Sequence, residues 1–597
     1  MSARLALALL VLVGHAGAAA QVPFDTLPAD SVAADTVDQT ARYLREQEQN
    51  AVRLPVLPRI GIDGPRPPSS RIVFDRDSID WTTAQTVADL LQRVPGVYLW
   101  RGGWIGRPEY PNYQGRGPHT AEYYLDGAPY APLGLDSLGV DPSLFPMSLL
   151  ERIEVERWPG LLRVHLFTRR HDRLAARSRI GIAAGDRDVA RYAGALERRF
   201  RSGAGFAVAG EYLNAPTASG VRSDASISHL LLQGGYVPSE RFGVQYQIVR
   251  SKPNRRAFEG GAAAADTLGE PLKGNRSDAQ LRLFLRRRGD DLGPRLDVLY
   301  VRSGWEGGEV HQQNNQFGGV FSLRTPTARL GASAFIRSRW TTFDARVEGG
   351  WAPVAPLGAS AEVGYQRHDL GRESRWVGAR AGVVLPLGLT ATGTLRHGSI
   401  VFAPALTADP AQDVTDLSVV AGWQHRLVGV ELGYHHTDAF RPQAYQPFRV
   451  VDSLAPVGAA DWVTASLRLA PLSWLTLEGW YSDPRGPAIE GIPPTHFLGS
   501  ATIRSRFLRT FPSGAFDLKL QGIVEAWGTG VIGRDAAGDP IKLRGATFYR
   551  GVLELRLQSF IIYWDRYNLR SSRHAYVPGF GIPPGGSTFG VRWEFVN

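Results

Sequence analysis

Cysteine is absent from all 597 residues. That excludes disulfides, thiolate metal sites, a cysteine nucleophile and a lipid-anchoring cysteine. Methionine is almost absent, at two residues. No stretch beyond the amino terminus approaches the ~18 consecutive apolar residues a membrane-spanning helix needs. The sequence also lacks an HExxH, a GxSxG and a P-loop. His435 and His436 are neighbours on an alternating segment, so their rings face opposite sides and cannot share a metal. His165 and His171 have no third ligand at useful spacing. No catalytic residue, metal site or cofactor is expected, and an enzyme is not the favoured reading. The formal charge of +10 comes from 67 Lys and Arg against 57 Asp and Glu. Arginine is spread along the whole chain instead of being clustered on one face, which argues against a nucleic-acid partner.

What is present is strand-forming. With 43% hydrophobic and 21% charged residues, the chain is neither disordered nor fibrous. Its 67 glycines and 10% aromatics fit many strands and turns. The length calls for several domains or one large barrel. Arg4, an apolar run from Leu5 to Val13 and Ala18-Ala19-Ala20 make an export signal over residues 1–20, with cleavage expected before Gln21. Residues 21–70 are polar and rich in proline (Pro23, Pro28, Pro55, Pro58, Pro65, Pro67, Pro68), which predicts an extended segment with one short helix between Thr40 and Gln49. Residues 71–175 read as a small α+β domain. Strands are expected at Arg71–Phe74, Val97–Trp100, Tyr123–Leu125, Ile153–Arg157 and Leu162–Thr168. Thr82 or Thr83 is placed to cap a helix carrying Val87, Leu90, Leu91 and Val94, which Pro95-Gly96 ends.

From residue 176 to 597 helical periodicity disappears and period two takes over. Leu281, Leu283 and Leu285 alternate with Arg282, Phe284 and Arg286. Phe589, Val591, Trp593 and Phe595 alternate with Gly590, Arg592 and Glu594. One face is apolar and the other polar. About 22 such strands are expected. Every even-to-odd connection reads as tight, as in Ala470-Pro471-Leu472-Ser473, while most odd-to-even connections are long, those near 187, 340 and 371 excepted. A transmembrane β-barrel has a reason for that parity: short periplasmic turns and long outer loops. Trp305, Trp340, Trp351, Trp423, Trp462, Trp474, Trp480 and Trp564 lie near strand ends and fit an interfacial girdle in contact with outer-membrane lipid.

Four motifs in order carry a resemblance. Ala88 to Val97 includes Leu90-Leu91 and Pro95-Gly96. It is followed by Gly115-Arg116-Gly117, by Tyr124-Leu125-Asp126-Gly127, and by Leu150 to Val155 with Ile153-Glu154-Val155. This block resembles the plug domain of TonB-dependent outer-membrane receptors. The resemblance implies a mostly-β chain: a 22-stranded antiparallel transmembrane β-barrel closed by a small amino-terminal α+β plug domain, in the outer membrane of a Gram-negative bacterium. Two departures stand out. Trp158-Pro159-Gly160 replaces the Gly-Pro that often follows the Ile-Glu-Val strand, and Val596-Asn597 follow the last aromatic residue.

The resemblance implies a receptor that binds a scarce ligand outside, such as a siderophore, another metal chelate or an oligomeric nutrient, and imports it with energy transmitted by TonB. The alternative is a plugged barrel without TonB coupling, acting as a surface receptor, an adhesin or a subunit for an outer lipoprotein. TonB-contact candidates are Asp35, Thr36 and Val37, or Leu54 and Val56. Trp100, Arg101, Trp104, Arg107, Tyr110 and Tyr113 mix aromatic and cationic chemistry suited to an anionic or aromatic ligand. Packing against the lumen wall is the competing role for them.

Overall fold

The computed structural model describes residues 52–61, 70–80, 82, 84–103, 106–134, 139–215, 224–256, 258–259, 267–268, 272–289, 291–354, 356–443, 451–485, 489–582 and 585–596. The expected export signal, the helix between Thr40 and Gln49, Thr83, Trp104 and the Asp35-Thr36-Val37 candidate lie outside them.

The amino-terminal block has β1 (Arg71–Phe74), α1 (Arg76–Asp80), α2 (Val87–Leu91), β2 (Val97–Arg101), β3 (Glu109–Tyr113), β4 (Ala121–Leu125), β5 (Ala128–Pro129), β6 (Leu150–Trp158) and β7 (Leu161–Thr168). The sheet order is β1-β6-β7-β4-β5, and β2 pairs with β3 in a separate hairpin. The helix starts later than the sequence suggested. Thr86 is its N-cap, and the Asp89 carboxylate accepts the backbone N–H groups of Gln85 at 2.7 Å and Thr86 at 3.4 Å. Thr82 instead accepts from Arg93 at 2.7 Å. Val87, Ala88, Leu90 and Leu91 are fully buried, and with Ile153, Val155, Val164 and Leu166 they form the core of the block. The helix stops because Gly96 takes φ +86°, a conformation that costs other residues more.

The remaining chain forms a closed antiparallel barrel of 22 strands, from Arg177–Gly185 to Gly586–Val596, and those two pair to close it. The number is that expected from period two. The alternation separates two solvents. Leu281, Leu285, Phe589 and Trp593 point outward, while Arg282 and Phe284 are buried inside. Arg282 spends its charge on Asp297 at 2.7 Å. An apolar outer face with a polar lumen is the pattern of a barrel whose solvent is lipid.

At the rim bearing the barrel's two ends, connections run from two residues (240–241) to six (287–292), except 506–515. That ten-residue exception corrects the expectation that all are tight. It exposes Phe507, Leu508 and Phe511, and Phe511 stacks on Phe516 at 4.9 Å. At the far rim, 186–189, 338–340 and 369–372 are short as expected, and 308–309 is shorter still. The tryptophans divide. Trp351, Trp423, Trp474 and Trp564 face outward, whereas Trp305, Trp462 and Trp480 are buried inside. Trp305 sits in phase with Asp297, Leu299 and Val301 on the inner face, so the girdle is smaller than the sequence suggested.

Candidate functional site

The amino-terminal block fills the lumen, and charge holds it there. Arg163 on β7 makes a bidentate pair with Glu362 of the barrel wall, at 2.6 and 2.7 Å. Arg380 of the wall reaches Glu156 at 3.2 Å and the Arg157 carbonyl at 2.6 Å. Arg157 meets Glu431 at 3.1 Å, and Arg255 meets Asp141 at 2.6 Å. Arg116 pairs with Asp416 and lies 4.5 Å from the Phe440 ring centre. These pairs are buried, so breaking one strands an uncompensated charge.

The motif residues do structural work at this junction. Asp126 turns the chain at φ +48° and accepts hydrogen bonds from Thr168 and from Gln247 of the wall. Gly127 at φ +90° leaves no room for a Cβ, which would stand 2.5 Å from Ile60. Gly117 donates its N–H to Asn112 at 3.0 Å. Ile153 and Val155 are core, while Glu154 binds Arg71 at 2.6 Å. Pro95 sits in the turn after α2.

Among the described ligand candidates on β2, β3 and their connection, Trp100 and Arg101 meet far-rim residues. Trp100 is fully buried and donates its indole N–H to the Gly491 carbonyl at 2.6 Å. Arg101 pairs with Asp89 and, at 2.7 Å, with Glu109, and it lies 5.2 Å from the Tyr576 ring centre. Arg107 donates to the Arg256 carbonyl. Tyr110 and Tyr113 are buried. The structure thus brings Trp100, Arg101 and Tyr110 together beside residues of 489–495 and 568–582, whereas Arg107 lies against Arg256 and Tyr113 joins the plug core.

Two cavities flank the block on its far-rim side. One, of about 170 Å³, includes Arg93, Arg101, Glu109, Glu525, Arg550 and Tyr576 in its lining. Arg550 is paired with Asp565 at 2.7 Å, and Glu525 accepts from Tyr576 and from His496. The other, also about 170 Å³, lies where the wall is low, between β4 and the short connection 338–340. Its lining includes His119, Trp340, Trp376, Arg396 and Phe402. Of these five only Trp340 was named from the sequence, as a girdle residue, and none as a ligand candidate. The inward phase of Arg396 was legible, but its surroundings depend on the packed wall.

The family described as "TonB-dependent Receptor Plug Domain" matches residues 66–162. The chain has the plug-and-barrel architecture of the TonB-dependent receptors. No curated protein sequence matches it. Among solved structures it resembles a mutant of the ferric enterobactin receptor PfeA from Pseudomonas aeruginosa. The TM-score is 0.68 at 12% identity, over 88% of this chain and 98% of that one. The siderophore receptor PirA from Acinetobacter baumannii gives 0.67 at 10%, over 88% and 98%. The copper transporter OprC gives 0.69 at 12%, over 88% and 100%. At such identities the likeness is one of fold. A plug of this family inside a lipid-facing 22-stranded barrel is an outer-membrane receptor or transporter. The rim with the chain ends is periplasmic and the far rim faces outside.

Within the plug, Glu109 is a buried carboxyl that lines the first of these cavities. It accepts from Thr86 and faces Arg101, Asp89 and Asp141. Burial, reinforced by Asp89 and opposed by Arg101, pushes its carboxyl up to about 7 from 4.5. A carboxyl whose folded pKa is raised takes up a proton on folding. Its contribution favours the folded plug at low pH and is lost as pH rises from about 4.5 through about 7, by up to ~3 kcal/mol. Melting curves at pH 5 and pH 8 should show this as a difference between wild type and Glu109→Gln. Equal pH slopes in the two proteins would rule it out.

Proposed function

We propose that the protein imports a scarce ligand across the outer membrane using energy delivered by TonB. The ligand is a siderophore, another metal chelate or an oligomeric nutrient. The observation that carries this reading is a folded plug fixed in the lumen by buried ion pairs such as Arg163–Glu362. A lumen closed in this way is no diffusion pore, and ligand passage must first break those contacts at a cost of several kcal/mol. The outer membrane holds no ATP, so the work has to arrive from the periplasmic side.

Leu54 and Val56 sit in a segment tied to the periplasmic rim. The Leu54 N–H donates to the Asp172 carbonyl at 2.7 Å, the Pro55 carbonyl accepts from Arg199 at 2.8 Å, and the Leu57 carbonyl accepts from Arg170 at 2.8 Å. A partner that adds a strand needs free backbone groups. Asp35-Thr36-Val37 is therefore the favoured TonB contact. Trp100, Arg101, Arg107, Tyr110 and Tyr113 meet ligand in this scheme once the far-rim segments 489–495 and 568–582 move aside; Trp104 belongs to the same set.

Calorimetry of the full-length receptor in detergent against the periplasmic domain of the host TonB tests the coupling. Micromolar binding that disappears on deleting residues 33–41 is the expected result. No binding by the intact receptor overturns the coupled reading and favours a plugged receptor that works without the motor.

A further inference from the structure

The low-walled cleft contains a charge that the fold leaves uncompensated. Arg396, on the strand Leu389–Ile400, is 5% exposed. Its Nε is buried without a hydrogen-bond partner, and among the described residues no carboxylate pairs with its guanidinium. The carboxylates that act on it electrostatically are committed elsewhere. Asp416, its direct cross-strand neighbour, takes Arg116 and the Asp438 N–H. Glu362 takes Arg163, and Glu122 takes Arg163 at 3.2 Å and Arg346 at 3.4 Å. By contrast Arg116, Arg157, Arg163, Arg255 and Arg380, which bind across the plug–wall junction, each have a carboxylate. A buried unpaired cation is costly, and a protein retains one where something else supplies the anion.

The rest of the cleft agrees in sign and shape. Among the described residues Arg339 at its rim binds only the Gln313 carbonyl, at 3.0 Å, whereas of the lining carboxylates Asp344 is neutralised by Arg337 and Glu122 by Arg163 and Arg346. The lining therefore carries an excess of positive charge. His119 presents two ring nitrogens that are buried and unbonded. Burial and Arg116 push the imidazole down to about 3, so it is neutral at pH 7 and can donate one hydrogen bond. Trp340, Trp376 and Phe402 supply flat apolar walls. Trp340 is held at φ +58° with its N–H on Asp369 at 2.7 Å, an unusual conformation that fixes the rim. The volume of about 170 Å³ matches a single aromatic ring, since an apolar cavity of about 150 Å³ holds benzene.

We propose that this cleft is the recognition subsite for an anionic single-ring group, a ring carboxylate or phenolate, of the ligand the receptor captures, with Arg396 as its counter-ion and His119 as hydrogen-bond donor. The inference rests on the reading of the protein as a receptor with an outward-facing ligand site, but not on TonB coupling.

Fluorine NMR on the full-length receptor in detergent tests it with 4-fluorobenzoate as the probe and 4-fluorobenzamidine as its cationic counterpart. The benzoate should bind in the millimolar range and the benzamidine at least tenfold more weakly. Arg396→Gln should weaken benzoate at least tenfold while leaving the melting temperature equal or higher, because it removes a stranded charge. A residue kept for structure would do the opposite. Arg396→Lys should retain part of the affinity, and Trp340→Ala, acting from the rim, should lower it severalfold. Wild type that ignores the benzoate, benzamidine binding as tightly, or Arg396→Gln binding benzoate unchanged each overturns the proposal. A positive calorimetric result with TonB alongside a negative benzoate result would sink the subsite and leave the transporter reading standing.

Discussion

Arg163→Ala should unseat the plug. The guanidinium is 1% exposed and binds both oxygens of Glu362, with Glu122 at 3.2 Å and Glu156 at 3.7 Å around it. Removing it leaves Glu362 buried in the barrel wall with, among the described residues, only the Trp376 indole N–H, at 2.9 Å, as a remaining donor. Breaking a buried pair from one side costs about 3–5 kcal/mol. That is a large share of the ~5–15 kcal/mol that holds a typical fold. The open fraction should rise by about two to four orders of magnitude, since each 1.4 kcal/mol is a factor of about ten. The readout is single-channel current in planar bilayers, with vancomycin sensitivity of cells as its counterpart: closed for wild type, frequent large openings for the variant. Glu362→Ala should do less, because Arg163 keeps two other carboxylates. Arg163→Met combined with Glu362→Leu should recover much of the closure, since an apolar pair of similar volume strands nothing. Identical currents in wild type and Arg163→Ala would show that this pair does not hold the plug.

The barrel was legible because lipid and lumen impose opposite solvents on alternate residues. Leu281 and Leu285 against Arg282 and Phe284 declare both the strand and its phase. What escaped was local. Gly307-Gly308 permits a two-residue connection at 308–309, with Gly308 at φ +58°, where a longer loop was read. The tryptophans near strand ends look alike in sequence, and only phase separates Trp305, beside inward Asp297, from Trp351 on the lipid face. Asp126, Gly127, Arg116 and Glu154, named from the plug motifs, sit at the plug's turns and ion pairs. The cleft could not be found this way. Arg396 is one lumen-facing arginine among many, and its lack of a partner follows from Asp416 being taken by Arg116, a residue 300 positions away in sequence.

The closure also has a steric half, which charge variants do not reach. Trp158 is nearly fully buried, with Arg380 4.0 Å and Arg163 5.5 Å from its ring centre. Its ring lies on bare backbone of the wall: a Cβ at Gly378 would meet Trp158 Cζ3 at 2.7 Å and Glu362 Cγ at 2.9 Å. The ring cannot step aside, because Arg380 is fixed to the Arg157 carbonyl and Glu156. Trp158→Ala should therefore cost about 3–5 kcal/mol of plug seating, the usual penalty for emptying a buried aromatic site, and it also removes the surface on which two arginines rest. Gly378→Val fails for the opposite reason. It suits the strand, since valine favours β structure, so the barrel should assemble and run as a heat-modifiable band like wild type. Its extra carbons occupy the seat of the ring, and the lumen should leak. Combining the two changes tests the geometry directly, because the cavity left by the tryptophan is where the valine needs room. The double variant should be less leaky than the sum of the singles, a coupling that only contacting residues show. Strict additivity of the two currents would mean that Trp158 and Gly378 do not meet in the closed receptor.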